Sequence, residues 1–371
     1  MKKETKGGSP PLPPRRPSGV SRASSIPVTS LAGAAAHPQN VVGMHFFNPP
    51  PVMRLLEVIA ADQTGERALA VARATGEAMG RQVIVAGDGP GFVVNRCGRP
   101  FYAEALRLVS ERIAPPEQVD RICRLGGGFR MGPFELMDLV GIDVGYAVAQ
   151  SFEALSFGEP RWKPSPLQAR MVDAGRLGRK TGRGWYDYDS DGPYREQDPE
   201  PAAGDGTDFA TEAPRHGLLD CRASTLAAAG RDEIGYSLLP GAGLVELTKG
   251  IDVSAGRCHA AEQLAAAAGL HHAWVGDAPG LVLARIACSL VNEAAFAIGA
   301  GVGSAHDIDT GLELGLNHPR GPVAWGEAIG LERVLATVDG LWEDRHEERY
   351  RAAPLLRRAV ALDCGLSQAA T

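Results

Sequence analysis

The chain has 371 residues, which is long enough for two or three domains that each bury a sizeable core. Its net charge of −6 argues against the basic stripe that nucleic-acid binding requires. No apolar run reaches the roughly 18 residues that span a bilayer, and the start of the chain has no hydrophobic signal segment. We therefore expect a cytoplasmic protein with neither a nucleic-acid nor a membrane partner, and six scattered cysteines that stay reduced.

The segment 1–20, MKKETKGGSPPLPPRRPSGV, is rich in lysine, arginine, glycine, serine and proline. Almost none of these side chains can be buried in a core. This composition predicts a disordered segment over 1–20.

The first strong structural pattern is a pair of alternating runs, Val41–Phe47 and Arg54–Ala60. Three prolines follow Asn48 between them and exclude a helix, so the runs predict two antiparallel strands. In this arrangement His45 lies across from Glu57. A histidine backed by a carboxylate is typical of a general base, whereas a half-buried strand histidine beside an unrelated glutamate is the alternative.

Helices and one further strand follow in chain order. Thr64–Gly80 predicts an amphipathic helix capped by its threonine, and Gln82–Ala86 predicts a short buried strand. Asp88 precedes a glycine–proline turn and is expected to cap a long helix, with Asn95 about one turn in. Three more helices are predicted, at Pro116–Leu125, Phe134–Phe152 and Pro166–Ala174.

The second half of the sequence repeats the first. A constant offset superposes 57–141 on 246–330 without a gap, and it matches glycines, prolines, arginines and acidic residues. Between the halves, residues 189–216 are acidic and rich in proline and glycine, which predicts a flexible linker. The regular register indicates a tandem duplication of one domain.

The same offset separates scaffold residues from chemical ones. His45 falls on Ile234 and Asn95 on Ala284, so these polar groups have no counterpart in the second copy. Glu57 falls on Glu246, which remains where no histidine needs it. We therefore expect His45 and Asn95 to take part in catalysis. Glu57 is expected to have a second role in the fold, as an acceptor of backbone N–H groups.

Four motifs carry a family resemblance. They are GMHFFNPPPVMRLLEVI at 43–59, DGPGFVVNR at 88–96, MGPFELMDLVGID at 131–143 and GRKTGRGWYDY at 178–188. Together they resemble the NAD-dependent 3-hydroxyacyl-CoA dehydrogenases over residues 21–188. The duplication resembles the long bacterial 3-hydroxybutyryl-CoA and 3-hydroxyadipyl-CoA enzymes, which belong to fatty-acid and aromatic-acid catabolism.

The resemblance implies a fold that is mixed α/β and mainly α. We expect a C-terminal remnant of a Rossmann-like NAD-binding domain, followed by tandem all-helical domains like the C-terminal domain of 6-phosphogluconate dehydrogenase. In the family such helical domains pair, so either a homodimer or an intrachain pseudo-dimer is expected. The expected domains are the remnant at 21–88, the first helical copy at 89–188, the linker at 189–216, a vestigial α/β lobe at 217–278 and the second helical copy at 279–371.

The resemblance also implies catalytic roles in the oxidation of an L-3-hydroxyacyl-CoA to a 3-ketoacyl-CoA. His45 would take the hydroxyl proton, and Glu57 would hold the imidazole and stabilise its cation. Ser24 and Asn95 would orient the substrate oxygen, although Ser24 could instead be a solvated loop serine.

NAD is the cofactor that the resemblance implies. Ser24, Asn48 and Lys180 would border it, although Lys180 could also be a surface lysine in a glycine-rich turn. No metal site is predicted, because His271-His272 and Cys258-His259 lack metal-ligand spacing and His318 falls on a helix-terminal turn.

One part of the family pattern is not found in the sequence. Nothing upstream of Ser21 reads as the strand, GxGxxG turn and helix that hold a dinucleotide pyrophosphate. The glycines at 299–303 connect two helices, and those at 126–128 end one. We therefore expect a chain that lacks most of its cofactor domain. A non-catalytic fragment that serves only in assembly or acyl-CoA binding is the alternative function.

Overall fold

The computed structural model describes residues 26–189, 193–200 and 203–371. The predicted disordered segment 1–20 and the candidate Ser24 lie outside the described residues.

The first lobe is a three-stranded sheet in the order β1–β2–β3. β1 and β2 are antiparallel, with His45 directly opposite Glu57, as the alternation predicts. β2 and β3 are parallel. Helix α2 begins at Glu66 rather than at Thr64, whose hydroxyl bridges the Ala61 N–H and the Val41 carbonyl. The elements are α1 (Val28–Gly33), β1 (Gly43–Phe46), β2 (Leu55–Ala60), α2 (Glu66–Ala78) and β3 (Gln82–Gly87).

The first helical copy follows β3. Asp88 does not cap the helix that follows it, because its carboxylate accepts the N–H of Thr29 at 2.7 Å. The single helix predicted over 134–152 is two helices, since Gly141 has a φ of +105° and breaks the path between them. The elements are α3 (Val94–Cys97), α4 (Arg99–Ser110), α5 (Pro116–Gly127), α6 (Pro133–Val140), α7 (Ile142–Leu155) and α8 (Pro166–Asp173).

The described part of 189–216 is tied to the rest of the protein, so the prediction of a flexible linker is wrong for those residues. Both carboxylate oxygens of Asp198 accept hydrogen bonds from Arg124, at 2.7 and 2.8 Å. Phe209, in the short helix α9 (Phe209–Glu212), is buried and packs against Tyr236. Composition alone did not reveal these contacts because their partners lie in other domains.

The second lobe and the second helical copy have the same order of elements as the first lobe and the first copy, apart from one additional strand. The sheet of the second lobe has four strands in the order β4–β5–β6–β7, and its antiparallel β5–β6 pair corresponds to β1–β2. The additional strand, β4, runs parallel to β5 along its outer edge. The elements are β4 (Leu218–Asp220), β5 (Ile234–Ser237), β6 (Leu244–Lys249), α10 (Ala255–Ala267), β7 (His271–Trp274), α11 (Leu283–Gly299), α12 (Ala305–Leu316), α13 (Pro322–Ile329), α14 (Leu331–Arg345), α15 (Pro354–Ala361) and α16 (Leu366–Ala369).

The two halves pack against each other reciprocally. Arg96 of the first copy bonds Glu293 of the second at 2.9 Å, and Arg285 of the second bonds Glu104 of the first at 2.8 Å. The offset between the sequence repeats exchanges these two pairs. Two backbone hydrogen bonds between the halves are exchanged by the same offset. The N–H of residue 87 donates to the carbonyl of 302, and the N–H of residue 276 donates to the carbonyl of 113, both at 2.7 Å. An isologous interface of this kind is what a two-fold dimer would have, here within one chain.

Candidate active site

His45 and Glu57 form a close pair on neighbouring strands. Nδ1 of His45 lies 2.6 Å from Oε2 of Glu57, and the His45 side chain is 13% exposed while that of Glu57 is fully buried. The rings of Phe47 and Phe92 flank the imidazole, with centroids 4.8 and 5.7 Å away. Since the carboxylate engages Nδ1, proton exchange with a ligand would use Nε2 on the opposite side of the ring.

Glu57 also has the structural role expected from the internal repeat. Its other oxygen, Oε1, accepts the N–H groups of Val93 and Val94 at 3.1 and 2.9 Å, at the beginning of α3. Glu246 accepts the corresponding N–H groups of Val282 and Leu283, one with each of its two oxygens. These bonds satisfy helix donors that have no partner within the helix. The prediction that this glutamate accepts backbone N–H groups is confirmed.

The same carboxylate links the imidazole to the helix that carries Asn95. Asn95 follows Val94 in α3 and is half-buried. Asn48 lies two residues beyond the end of β1 and is exposed. The fold therefore brings together His45, Glu57 and the turn before Asn95. Asn48 lies just beyond β1, the strand that carries His45.

Lys180 lies on a different segment. It belongs to the 3₁₀ turn Arg179–Thr181 and forms an ion pair with Asp143 in the first turn of α7. Its side chain is 44% exposed. Ser24, the remaining candidate, lies outside the described residues.

The prediction from sequence did not single out Phe92, which lies beside His45, or Arg99, which lies one helical turn beyond Asn95. Phe92 has a φ of +53° and packs its ring on His45. Arg99 begins α4 one helical turn beyond Asn95 and lines a cavity of about 710 Å³. The repeat contained a signal for Arg99, because its counterpart in the second copy is Cys288.

The described residues fit NAD in part. His45 and Asn48 at the end of β1 are a base and an amide that would lie at the nicotinamide end of the cofactor. The helix beginnings that follow β3 and β7 are no pyrophosphate sites, because the carboxylates of Glu57 and Glu246 already occupy their N–H groups. Within the described residues β1 is an edge strand, whereas its counterpart β5 carries β4 along its outer edge.

Two family models match the chain. The model of the 3-hydroxyacyl-CoA dehydrogenase C-terminal domain matches residues 91–188 and again 280–367, and the model of the NAD-binding domain matches residues 20–89. The chain belongs to the 3-hydroxyacyl-CoA dehydrogenase family. This finding confirms the family, the fold class and NAD as the cofactor of the domain at the start of the chain.

Individual relatives agree with the family match. The 3-hydroxyadipyl-CoA dehydrogenase of Escherichia coli K12 is 34% identical over 360 residues, which are 92% of this chain and 74% of the relative. The probable 3-hydroxybutyryl-CoA dehydrogenase of Deinococcus radiodurans is 42% identical over 175 residues, and the aligned part is 47% of this chain and 63% of that protein. This chain therefore spans less than two thirds of the shorter relative.

A solved structure shows the same architecture. The crystal structure of 3-hydroxybutyryl-CoA dehydrogenase from Escherichia coli K12 superposes with a TM-score of 0.82 at 32% identity, over 91% of this chain and 74% of that one. The family consists of oxidoreductases with an NAD-binding domain. No helix among the described residues is long and apolar enough to cross a membrane.

Proposed function

We propose that the protein oxidises an L-3-hydroxyacyl-CoA to the 3-ketoacyl-CoA with NAD. The observation that carries this proposal is the His45–Glu57 pair, joined at 2.6 Å in the lobe that matches the NAD-binding domain. The activities of the relatives, a 3-hydroxyadipyl-CoA dehydrogenase and a probable 3-hydroxybutyryl-CoA dehydrogenase, support a substrate with an acyl chain like that of 3-hydroxybutyryl-CoA or 3-hydroxyadipyl-CoA.

His45 acts as the general base in this proposal. Nε2 accepts the proton of the C3 hydroxyl while Oε2 of Glu57 stabilises the imidazolium through Nδ1. The Asn95 amide, together with Ser24, orients the substrate oxygen. Asn48 and Lys180 border the cofactor, which when bound supplies the hydride acceptor.

An assay of NADH oxidation with acetoacetyl-CoA tests the proposal in the reverse direction. We expect His45→Ala to lower kcat by about 10²- to 10⁴-fold, the usual contribution of a general base. His272→Ala, at a half-exposed histidine of the second lobe, is the control and should keep wild-type activity. Equal activity in wild type and His45→Ala would refute the role of His45.

A second candidate function is acyl-CoA binding or assembly without turnover. The observation that favours it is that side-chain oxygens of Glu57 and Glu246 already accept the N–H groups at the helix beginnings after β3 and β7, so neither can bind a pyrophosphate. Calorimetric binding of acetoacetyl-CoA by a wild-type chain that oxidises no NADH would support this candidate over the dehydrogenase.

We further propose that the second helical copy takes the place of a partner subunit. The reciprocal pairs Arg96–Glu293 and Arg285–Glu104 support this proposal, since they cover within one chain the surface that a second copy would otherwise use.

A further inference from the structure

A cavity runs along one side of α4 in the first helical copy. Its volume is about 710 Å³, within the range of small-molecule sites. Its wall combines two aromatic rings with six cations and two glutamates, Glu347 and Glu348. The net charge of the wall is positive, which suits a ligand that carries negative charge on an apolar chain. The residues that define this character are Arg99, Tyr102, Arg161, Trp162, Lys163 and Arg170.

Arg99 is half-buried and lacks the ion pair that several other arginines of the protein form. Arg96, Arg124 and Arg285 each form an ion pair with a buried glutamate. Arg99 has no carboxylate within ion-pair distance among the described residues, and its buried Nε makes no hydrogen bond. Burial lowers the pKa of Arg99 to about 10. A half-buried cation without a carboxylate partner is costly, so a bound anion would offset that cost.

The position of Arg99 relates it to the candidate active site through Asn95, since His45, Glu57 and Asn95 do not themselves line the cavity. Gly98 joins α3 to α4 with helical angles, so Asn95 and Arg99 are one turn apart on the same side, about 6 Å along the axis. The Arg99 guanidinium lies 4.8 Å from the ring centroid of Phe152. Phe152 also packs against Gly91, where a Cβ would come within 2.0 Å of its ring.

The internal repeat groups Arg99 with the chemical residues. Arg96, which has a structural ion pair, is matched by Arg285 in the second copy. Arg99 is matched by Cys288, just as His45 is matched by Ile234. The fold of the second copy therefore forms without an arginine at this position, so the fold itself does not require Arg99.

We propose that Arg99 is a specificity-determining residue, which binds a carboxylate at the far end of the acyl chain. This inference rests on the proposed function and narrows its substrate to 3-hydroxyacyl-CoA molecules whose chain ends in a carboxylate. With the C3 oxygen held by Asn95, a carboxylate three carbon bonds further on is within reach of a guanidinium one helical turn away, through a charge-assisted hydrogen bond of about 2.8 Å. The planar guanidinium binds such a carboxylate through two parallel hydrogen bonds.

The test compares the binding of two stable probes of equal length, adipyl-CoA and hexanoyl-CoA, by isothermal titration calorimetry on the full chain. We expect the wild type to bind adipyl-CoA at least about tenfold more tightly, the factor that a charged hydrogen bond provides. Arg99→Met keeps the apolar part of the side chain and should weaken adipyl-CoA alone, which removes the preference. Arg333→Met, at an exposed arginine on α14, is the control for lost charge and should keep the preference.

Two outcomes would overturn the inference while acyl-CoA binding stands. One is equal affinity of the wild type for the two probes, and the other is an Arg99→Met variant that keeps the preference. Failure of the wild type to bind either probe would refute the proposed function as well, which distinguishes the two failures. Circular dichroism of Arg99→Met checks that the variant is folded.

Discussion

At the scale of single residues, Glu57 shows how one side chain serves both fold and chemistry. One oxygen pairs with His45, and the other accepts two backbone N–H groups at the beginning of α3. Glu246 keeps only the second task, because Ile234 replaces the histidine. Glu246 is therefore an internal control that separates the structural role of Glu57 from its role beside His45.

Glu57→Gln should lower the rate of acetoacetyl-CoA reduction by about 10- to 100-fold, since the loss of one charged hydrogen bond of about 1.5–3 kcal/mol removes support for the imidazolium. The amide oxygen still accepts the Val93 and Val94 N–H groups, so the melting temperature should change little. Glu246→Gln is the matched control with unchanged activity. If both variants lose activity equally, Glu57 has a role in the fold alone.

At the scale of secondary-structure elements, acidic side chains from distant segments hold the helix beginnings. Asp120 accepts the N–H groups of Phe134 and Glu135 at the start of α6, and Asp309 repeats this at α13. Burial opposes ionisation of such groups and raises the pKa of Asp120 to about 7 and that of Asp309 to about 6. The elements are therefore positioned by contacts that respond to pH.

The carboxyl group of Glu246, at the beginning of α11, provides the clearest test. Burial raises its pKa from 4.5 to about 8 in the folded protein. The folded state thus holds the proton more tightly than the unfolded state, so the contribution to stability is complete below pH 4.5 and is lost as the pH rises through 8. We expect the melting temperature of Glu246→Gln, relative to wild type, to rise by about 2 °C or more across this window and then to level off.

Calorimetric melting at half-unit pH steps measures this difference. Glu77→Gln, at an exposed position on α2, is the control and should follow the wild type at every pH. A difference between Glu246→Gln and wild type that does not vary with pH would show that the buried group does not titrate in this window.

At the scale of the whole molecule, the two halves form one body through reciprocal contacts. The pairs Arg96–Glu293 and Arg285–Glu104 are almost completely buried, and removal of either partner of such a pair leaves a buried charge. Packing of α11 against α4 lies at the centre of this arrangement. The second copy is therefore part of the core on which the first copy depends.

If the second copy takes the place of a partner subunit, the protein should be a monomer in solution. Size-exclusion chromatography with light scattering should give a mass near 39.1 kDa, unchanged over a tenfold range of protein concentration. A stable species of twice that mass would contradict this proposal and would indicate that another surface pairs.

Much of the fold could be predicted from sequence because it depends on local patterns and on the register of a repeat. Strand alternation placed His45 opposite Glu57, and the constant offset between the halves indicated the duplication and the second role of Glu57. The glycines at the ends of α5 and α11 were correctly predicted to end helices. Periodicity and chain connectivity encode such features without reference to distant residues.

Other features depend on partners far away in the chain, so local patterns could not reveal them. Asp88 was predicted to cap the helix that follows it, but its carboxylate accepts the N–H of Thr29 instead. The segment around Asp198 was predicted to be flexible, but Asp198 binds Arg124. The cavity beside Arg99 depends on helices and turns from both copies. Whether a polar group is satisfied depends on everything that surrounds it, and only the folded chain brings those surroundings together.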